Sequence, residues 1–159
     1  MATITATLAN THGSSSRGRQ PYYVQQIVDL TANSINPNGD VVQCLTVPAN
    51  TKIIAAGFQV TTSATQNTGT DATAALGTGA DADEYVTAFD IDGASDGAYA
   101  PSVTVSADLV ITSANTLDLT LAGGGASFTA GKIRVYALLQ DVSDIGEMEA
   151  DEVDRDQLA

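Results

Sequence analysis

Side chains able to act as nucleophiles, bases or metal ligands are few and scattered. His12 is the only histidine and Cys44 the only cysteine. A Ser-His or Cys-His pair needs the imidazole held rigidly against its partner. His12 lies among Ser14, Ser15, Ser16 and glycines, in a stretch with nothing to hold it. Cys44 sits in the apolar run Val41–Val47 and reads as a buried structural thiol; with no second cysteine it forms no intrachain disulfide. Two acidic groups offer oxygen ligands: Asp81, Asp83 and Glu84, and Asp90, Asp92 and Asp96. Asp90-Ile91-Asp92-Gly93 starts like a calcium loop, but Pro101 stands where the closing bidentate Glu belongs, so both groups read as solvated acidic loops. Gly123-Gly124-Gly125 is followed by no Lys-Ser/Thr and is no phosphate loop. With no Trp and only five Tyr, an aromatic-lined carbohydrate cleft with paired carboxylates is not expected either. The residues describe no active site, no metal centre and no cofactor, and the expectation is a non-enzyme.

The elements around these residues read as strands. Thr46-Val47-Pro48-Ala49-Asn50-Thr51 is a strand end and a turn: Pro48 cannot donate to a ladder, and Asn50 tolerates a left-handed backbone. The long strand that follows is apolar to Phe58. Strict alternation puts Ile54, Ala56, Phe58 and Val60 on one face and Ile53, Ala55 and Gly57 on the other. One face suits the core; Ile53, Ala55 and Gly57 are then expected to meet a neighbouring subunit. Tyr22–Leu30 and Val41–Val47 are the first two strands, parted by the turn Asn36-Pro37-Asn38-Gly39-Asp40. Residues 61–70 are polar and read as a surface loop. Asp71–Leu76 is a short strand with Ala72, Ala74 and Leu76 on one side. For Tyr85–Ile91 the period admits strand or helix; the acids before it favour a helical turn. Val103–Ile111 and Leu117–Leu121 both alternate and read as a hairpin with one wet face, a loop holds Phe128, and Lys132–Leu139 closes the series.

Seven or eight short strands with Gly, Asn and Pro turns mean an all-β fold, an antiparallel β-sandwich of jelly-roll type. It occupies residues 22–142, between an extended N-terminal arm (1–21) and an acidic C-terminal tail (143–159) with seven acids from Asp144 to Asp156. A formal net charge of −13 repels phosphate backbones and anionic bilayers, which argues against nucleic-acid and membrane partners. No run approaches the roughly 20 apolar residues of a membrane span. Arg17 and Arg19, two of six basic residues, stand with Pro21 at the end of the arm and suit docking on an acidic neighbour. A core rich in Ala and poor in aromatics points to stability gained by association.

The stretch from Val47 to Leu139 resembles small structural proteins of tailed bacteriophages. The likeness lies in Val47-Pro48-Ala49-Asn50-Thr51-Lys52-Ile53-Ile54, in Leu76-Gly77-Thr78-Gly79, in Asp81-Ala82-Asp83-Glu84-Tyr85-Val86 and in Asp96-Gly97-Ala98-Tyr99. It continues through Asn115-Thr116-Leu117-Asp118-Leu119-Thr120-Leu121 and Gly131-Lys132-Ile133-Arg134-Val135. The resemblance implies a virion protein that decorates or cements the outer capsid, often as a homotrimer, with the major capsid protein as its partner. Its arm, through Arg17, Arg19 and Pro21, would lie on that protein. The alternative it implies is a fibre module for host recognition, for which Tyr85, Tyr99 and Phe128 are the expected exposed aromatics.

Overall fold

The computed structural model describes residues 20–32, 35–69, 71–100 and 110–142. These form eight strands: β1 (Tyr22–Asp29), β2 (Val41–Val47), β3 (Thr51–Gln66), β4 (Thr73–Gly77), β5 (Val86–Asp90), β6 (Val110–Ile111), β7 (Asn115–Ala122) and β8 (Phe128–Asp141). They make two antiparallel four-stranded sheets, β1-β8-β3-β6 and β2-β7-β4-β5. The pairing is nested: β1 with β8, β2 with β7, β3 with β6, β4 with β5. Eight strands paired in this order are what a jelly-roll winding produces. The chain is an all-β sandwich.

The two inner faces supply the core. Ile53, Phe58, Val60, Ile133, Val135 and Leu139 come from the first sheet, and Leu45, Val47, Leu76, Leu117, Leu119 and Leu121 from the second. Alternation buries them because every second side chain on a strand faces inward. Phe58 and Phe89 meet edge to face across the sandwich, centroids 5.9 Å apart. Several inward positions are alanines, among them Ala56, Ala72, Ala74 and Ala137. Asn50 turns the chain into β3 with φ 55°, the left-handed backbone expected there.

Four expectations are corrected. The simple alternation of β3 fails at its start. Ile53 pairs with Leu139 but Ala55 with Leu138, so Ile54 is an extra residue, a β-bulge. The bulge resets the pattern: Ile53 turns inward with Ala56, Phe58 and Val60 and is 2% exposed, while Ile54 turns outward. Residues 61–66 are strand rather than loop. Their polar side chains are held by backbone partners, Thr61 Oγ1 donating to the Lys132 carbonyl (3.0 Å) and Ser63 Oγ to that of Asp92 (3.0 Å). Val86–Asp90 is strand β5 and not a helical turn, because it pairs with β4 and completes the second sheet. Finally, β6 and β7 do not form a hairpin. β6 pairs with Thr51–Lys52 of β3 while β7 pairs with β2 and β4, so the link at Ser113–Ala114 crosses between sheets. The expected strand at Val103–Leu109 lies outside the described residues, as do the arm residues Arg17 and Arg19 and the acidic tail.

Candidate interaction surface

The outward face of the first sheet carries what the core leaves over. Because Val28, Leu30, Ile133, Val135 and Ala137 face inward, Tyr23, Gln25, Ile27 and Asp29 of β1 and Lys132, Arg134, Tyr136 and Leu138 of β8 face outward. The register aligns them in rows with β3: Tyr23, Leu138 and Ala55; Gln25, Tyr136 and Gly57; Ile27, Arg134 and Gln59.

Tyr136 is the centre. A Cβ at Gly57 would stand 2.7 Å from the phenol oxygen of Tyr136, so the ring lies over the bare backbone of β3. Tyr23 stacks on it (centroids 6.1 Å, interplanar angle 20°), and Tyr99 meets it at 6.2 Å and 68°. Tyr99 comes from the 91–100 segment, which docks along the edge of β3. Gly97 donates to the Val60 carbonyl (2.7 Å) and Ala100 to that of Phe58 (3.0 Å). Tyr23 is 57% and Tyr99 61% exposed, beside an exposed Ile27. Partial burial, with the other two phenols close by, raises the pKa of Tyr136. Aromatic pairs at these separations stiffen a surface while leaving it free to contact a partner.

Polar groups frame the rings. Arg134 Nη1 donates to Gln59 Oε1 (3.2 Å), and Gln59 Nε2 to the Gly97 carbonyl (3.1 Å). Lys132 Nζ lies 3.4 Å from Asp29 Oδ2. With Lys52 on β3, these are all the lysines and arginines among the described residues, and they share one face of an acidic chain.

Of the expected contact residues, Ala55 and Gly57 lie on this face, Ile53 is in the core, and Pro21 is exposed just before β1. Of the three aromatics expected in exposed loops, Tyr85 (0%) and Phe128 (6%) are buried, and only Tyr99 is at the surface. Tyr85 turns inward just before β5, and Phe128 opens β8 on its core face, which is why neither is a loop aromatic. Tyr23 and Tyr136 are not among the expected contact residues, although their alternation with the inward residues of β1 and β8 marks them as outward.

The acidic groups are spent on backbone donors. Asp90 Oδ1 accepts from Gly93 N (2.7 Å) and Asp92 N (3.1 Å), which lowers its pKa. Asp92 Oδ2 accepts from Ala72 N (3.0 Å) and Asp96 Oδ1 from Ser63 N (2.7 Å). In the other group Asp81 Oδ1 accepts from Asp83 N (3.4 Å), while burial raises the pKa of Glu84. Cys44 is half-buried; desolvation, with Asp118 nearby, pushes its thiol up to about 12.

Chains in phage capsids share this fold. A chain of the cyanophage Pam1 capsid asymmetric unit superposes with a TM-score of 0.63 at 21% identity, covering 87% of this chain and 97% of that one. A chain from the capsid of Ralstonia phage GP4 gives 0.59 at 17%, covering 78% and 86%. One from the acidic stable capsid of Helicobacter pylori bacteriophage KHP30 gives 0.50 at 14%, covering 76% and 89%. At these identities the shared property is the fold. No protein-family model and no curated protein matches the chain.

Proposed function

We propose that the chain is a non-enzymatic structural protein of a phage virion that decorates the outer capsid surface and stabilises the head. The observation that carries this reading is the superposition on a capsid chain over nearly that chain's whole length. Fold alone hosts many functions; the surface adds to it. An aromatic and basic sheet face on an otherwise acidic domain suits contact with other protein rather than chemistry on a small molecule.

In this reading the Tyr23–Tyr136–Tyr99 face, with Ala55 and Gly57, is the surface buried against neighbouring subunits, as a homotrimer. Ile53 supports it from the core side. The arm, through Arg17, Arg19 and Pro21, lies on the major capsid protein and ties adjacent capsomers together. The acidic loops face solvent, away from packaged DNA.

The test is co-sedimentation of the purified chain with phage heads stripped of it, followed by measurement of head stability to heat. Saturable binding that raises the temperature of head rupture supports the reading. Binding that is unchanged on deletion of residues 1–20 removes the arm from it, and no binding at all removes the decoration role.

A further inference from the structure

β1 is an edge strand with few of the usual guards: its one charge, Asp29, stands at its last position and pairs with Lys132. Its register with β8 runs unbroken from Tyr22 to Asp29, with no bulge. It contains no proline, lysine or arginine, and Tyr22, Tyr23 and Ile27 are exposed along it. Among the described residues no strand pairs with its outer side. Edges of this kind are templates for another strand, and proteins that leave them bare protect them with charge, proline or a bulge.

The direction of the free groups follows from one bond. Leu30 N donates to the Gly131 carbonyl (3.0 Å), so Leu30 faces β8. Backbone groups alternate sides along an antiparallel strand, which turns those of Tyr23, Gln25, Ile27 and Asp29 to the open edge. A partner strand would pair with these residues.

The chain carries a segment of matching character and length. From Ala2 to Leu8 in Ala2-Thr3-Ile4-Thr5-Ala6-Thr7-Leu8-Ala9, apolar residues alternate strictly with threonines, and no charge interrupts the segment. Such alternation of β-branched residues is the pattern of a half-buried strand. The segment spans as many residues as β1 and precedes it in the chain. Residues 10–21 lie between the two. A hairpin loop runs to roughly two to five residues, and so long a connection gives the segment reach beyond its own domain.

We propose that the open edge of β1 receives residues Ala2–Ala9 of a second copy of this chain as an added strand. Main-chain hydrogen bonds give the attachment, and the apolar row Ile4, Ala6 and Leu8 extends the outward row of Tyr23 and Ile27. This exchange links copy to copy and stands whether or not the assembly sits on a capsid.

The test is amide hydrogen exchange with native mass on the full chain. At concentrations where the chain is associated, the amides of Tyr23, Gln25, Ile27 and Asp29 are protected. They exchange at least about tenfold faster in a variant lacking residues 2–9, which also loses associated mass. A synthetic peptide of residues 2–10 restores the protection to that variant. Gln25→Pro removes an outward N–H while leaving the β8 ladder intact, and dissociates the full chain without unfolding it; Ile27→Lys serves the same end by placing a charge on the edge. Open exchange of these amides in the associated full chain overturns the proposal. So does protection that persists on dilution to monomer, which means the segment closes on its own β1.

Discussion

Tyr136 lies over Gly57 on the adjoining strand, its phenol oxygen 2.7 Å from where a β-carbon of that residue would stand. The glycine is therefore a seat for the ring, and the ring in turn is the support on which Tyr23 and Tyr99 rest. Gly57→Ala forces the ring to tilt. The phenol end of the side chain is free to move, and Ala is the better strand residue by about 0.5–1 kcal/mol. Chemical denaturation is expected to show stability within about 1 kcal/mol of the parent. If the face is a subunit interface, self-association measured by light scattering weakens, because the aromatic cluster no longer presents the same surface.

Tyr23→Ala and Tyr99→Ala separate surface function from folding. Both side chains are more than half exposed, so each substitution costs less than about 1 kcal/mol of stability. If the face is a subunit interface, each lowers the association constant by about tenfold or more, as aromatic anchors do. Unchanged association in both, measured by analytical ultracentrifugation, removes this face from the interface.

Ile53→Ala tests the bulge. An outward-facing Ile53 would tolerate the change with little effect. Facing the core at 2% exposure, it is expected to cost about 2–4 kcal/mol through lost burial and the cavity left behind, seen as a lower urea midpoint at unchanged slope. Ile54→Ala, one residue on and 38% exposed, costs far less.

Acid titrates the loop that positions Tyr99. Hydrogen bonds from Gly93 and Asp92 hold the pKa of Asp90 below its ordinary value of 3.8. A carboxylate depressed on folding stabilises the fold above the unfolded value and loses that contribution as pH falls through the folded one. The parent is therefore expected to lose stability as pH drops below about 4. Asp90→Ala is less stable at neutral pH and shows a flatter dependence over that range. An identical pH dependence in the two proteins defeats the assignment.

Cys44 should be nearly inert. With its thiol pushed up to about 12, the thiolate fraction at pH 7.5 is negligible, and the thiolate is the reactive form. Reaction with a thiol reagent is expected to be slow in the native protein and prompt after unfolding in urea. Prompt native reaction would mean the second sheet opens around β2.

Much of the sandwich was legible in the chain. Pro48 and Asn50 marked the turn into β3, and Leu117, Leu119 and Leu121 announced β7 by alternation alone. The errors have local physical causes. A bulge adds one residue without changing composition, so nothing distinguishes Ile53 from Ile54 until the register with β8 is known. Thr61–Gln66 looked like a loop because its polar side chains bond to backbone far along the chain, at Lys132 and Asp92. Alternation identified Val110–Ile111 and β7 as strands, but it carries no information on which sheet each joins. The tyrosine face was readable in principle: Val28 and Val135 are inward, so Tyr23 and Tyr136 must point the other way. Aromatics that bind a partner are commonly loop residues, and these stand on strands.

The nested pairing bears on how the chain folds as it is made. β8 is the last of the eight described strands to leave the ribosome, yet it is the inner strand on which both β1 and β3 depend. β1 must wait for a partner more than a hundred residues downstream, from Tyr22 to Leu139. The first sheet therefore cannot close before β8 has emerged, and closing it means bringing the most distant parts of the described domain together, a high contact order that makes folding slow. Until then β3 lacks the strand that pairs along most of its length, and during that interval the nascent chain is most open to aggregation or to capture by a chaperone.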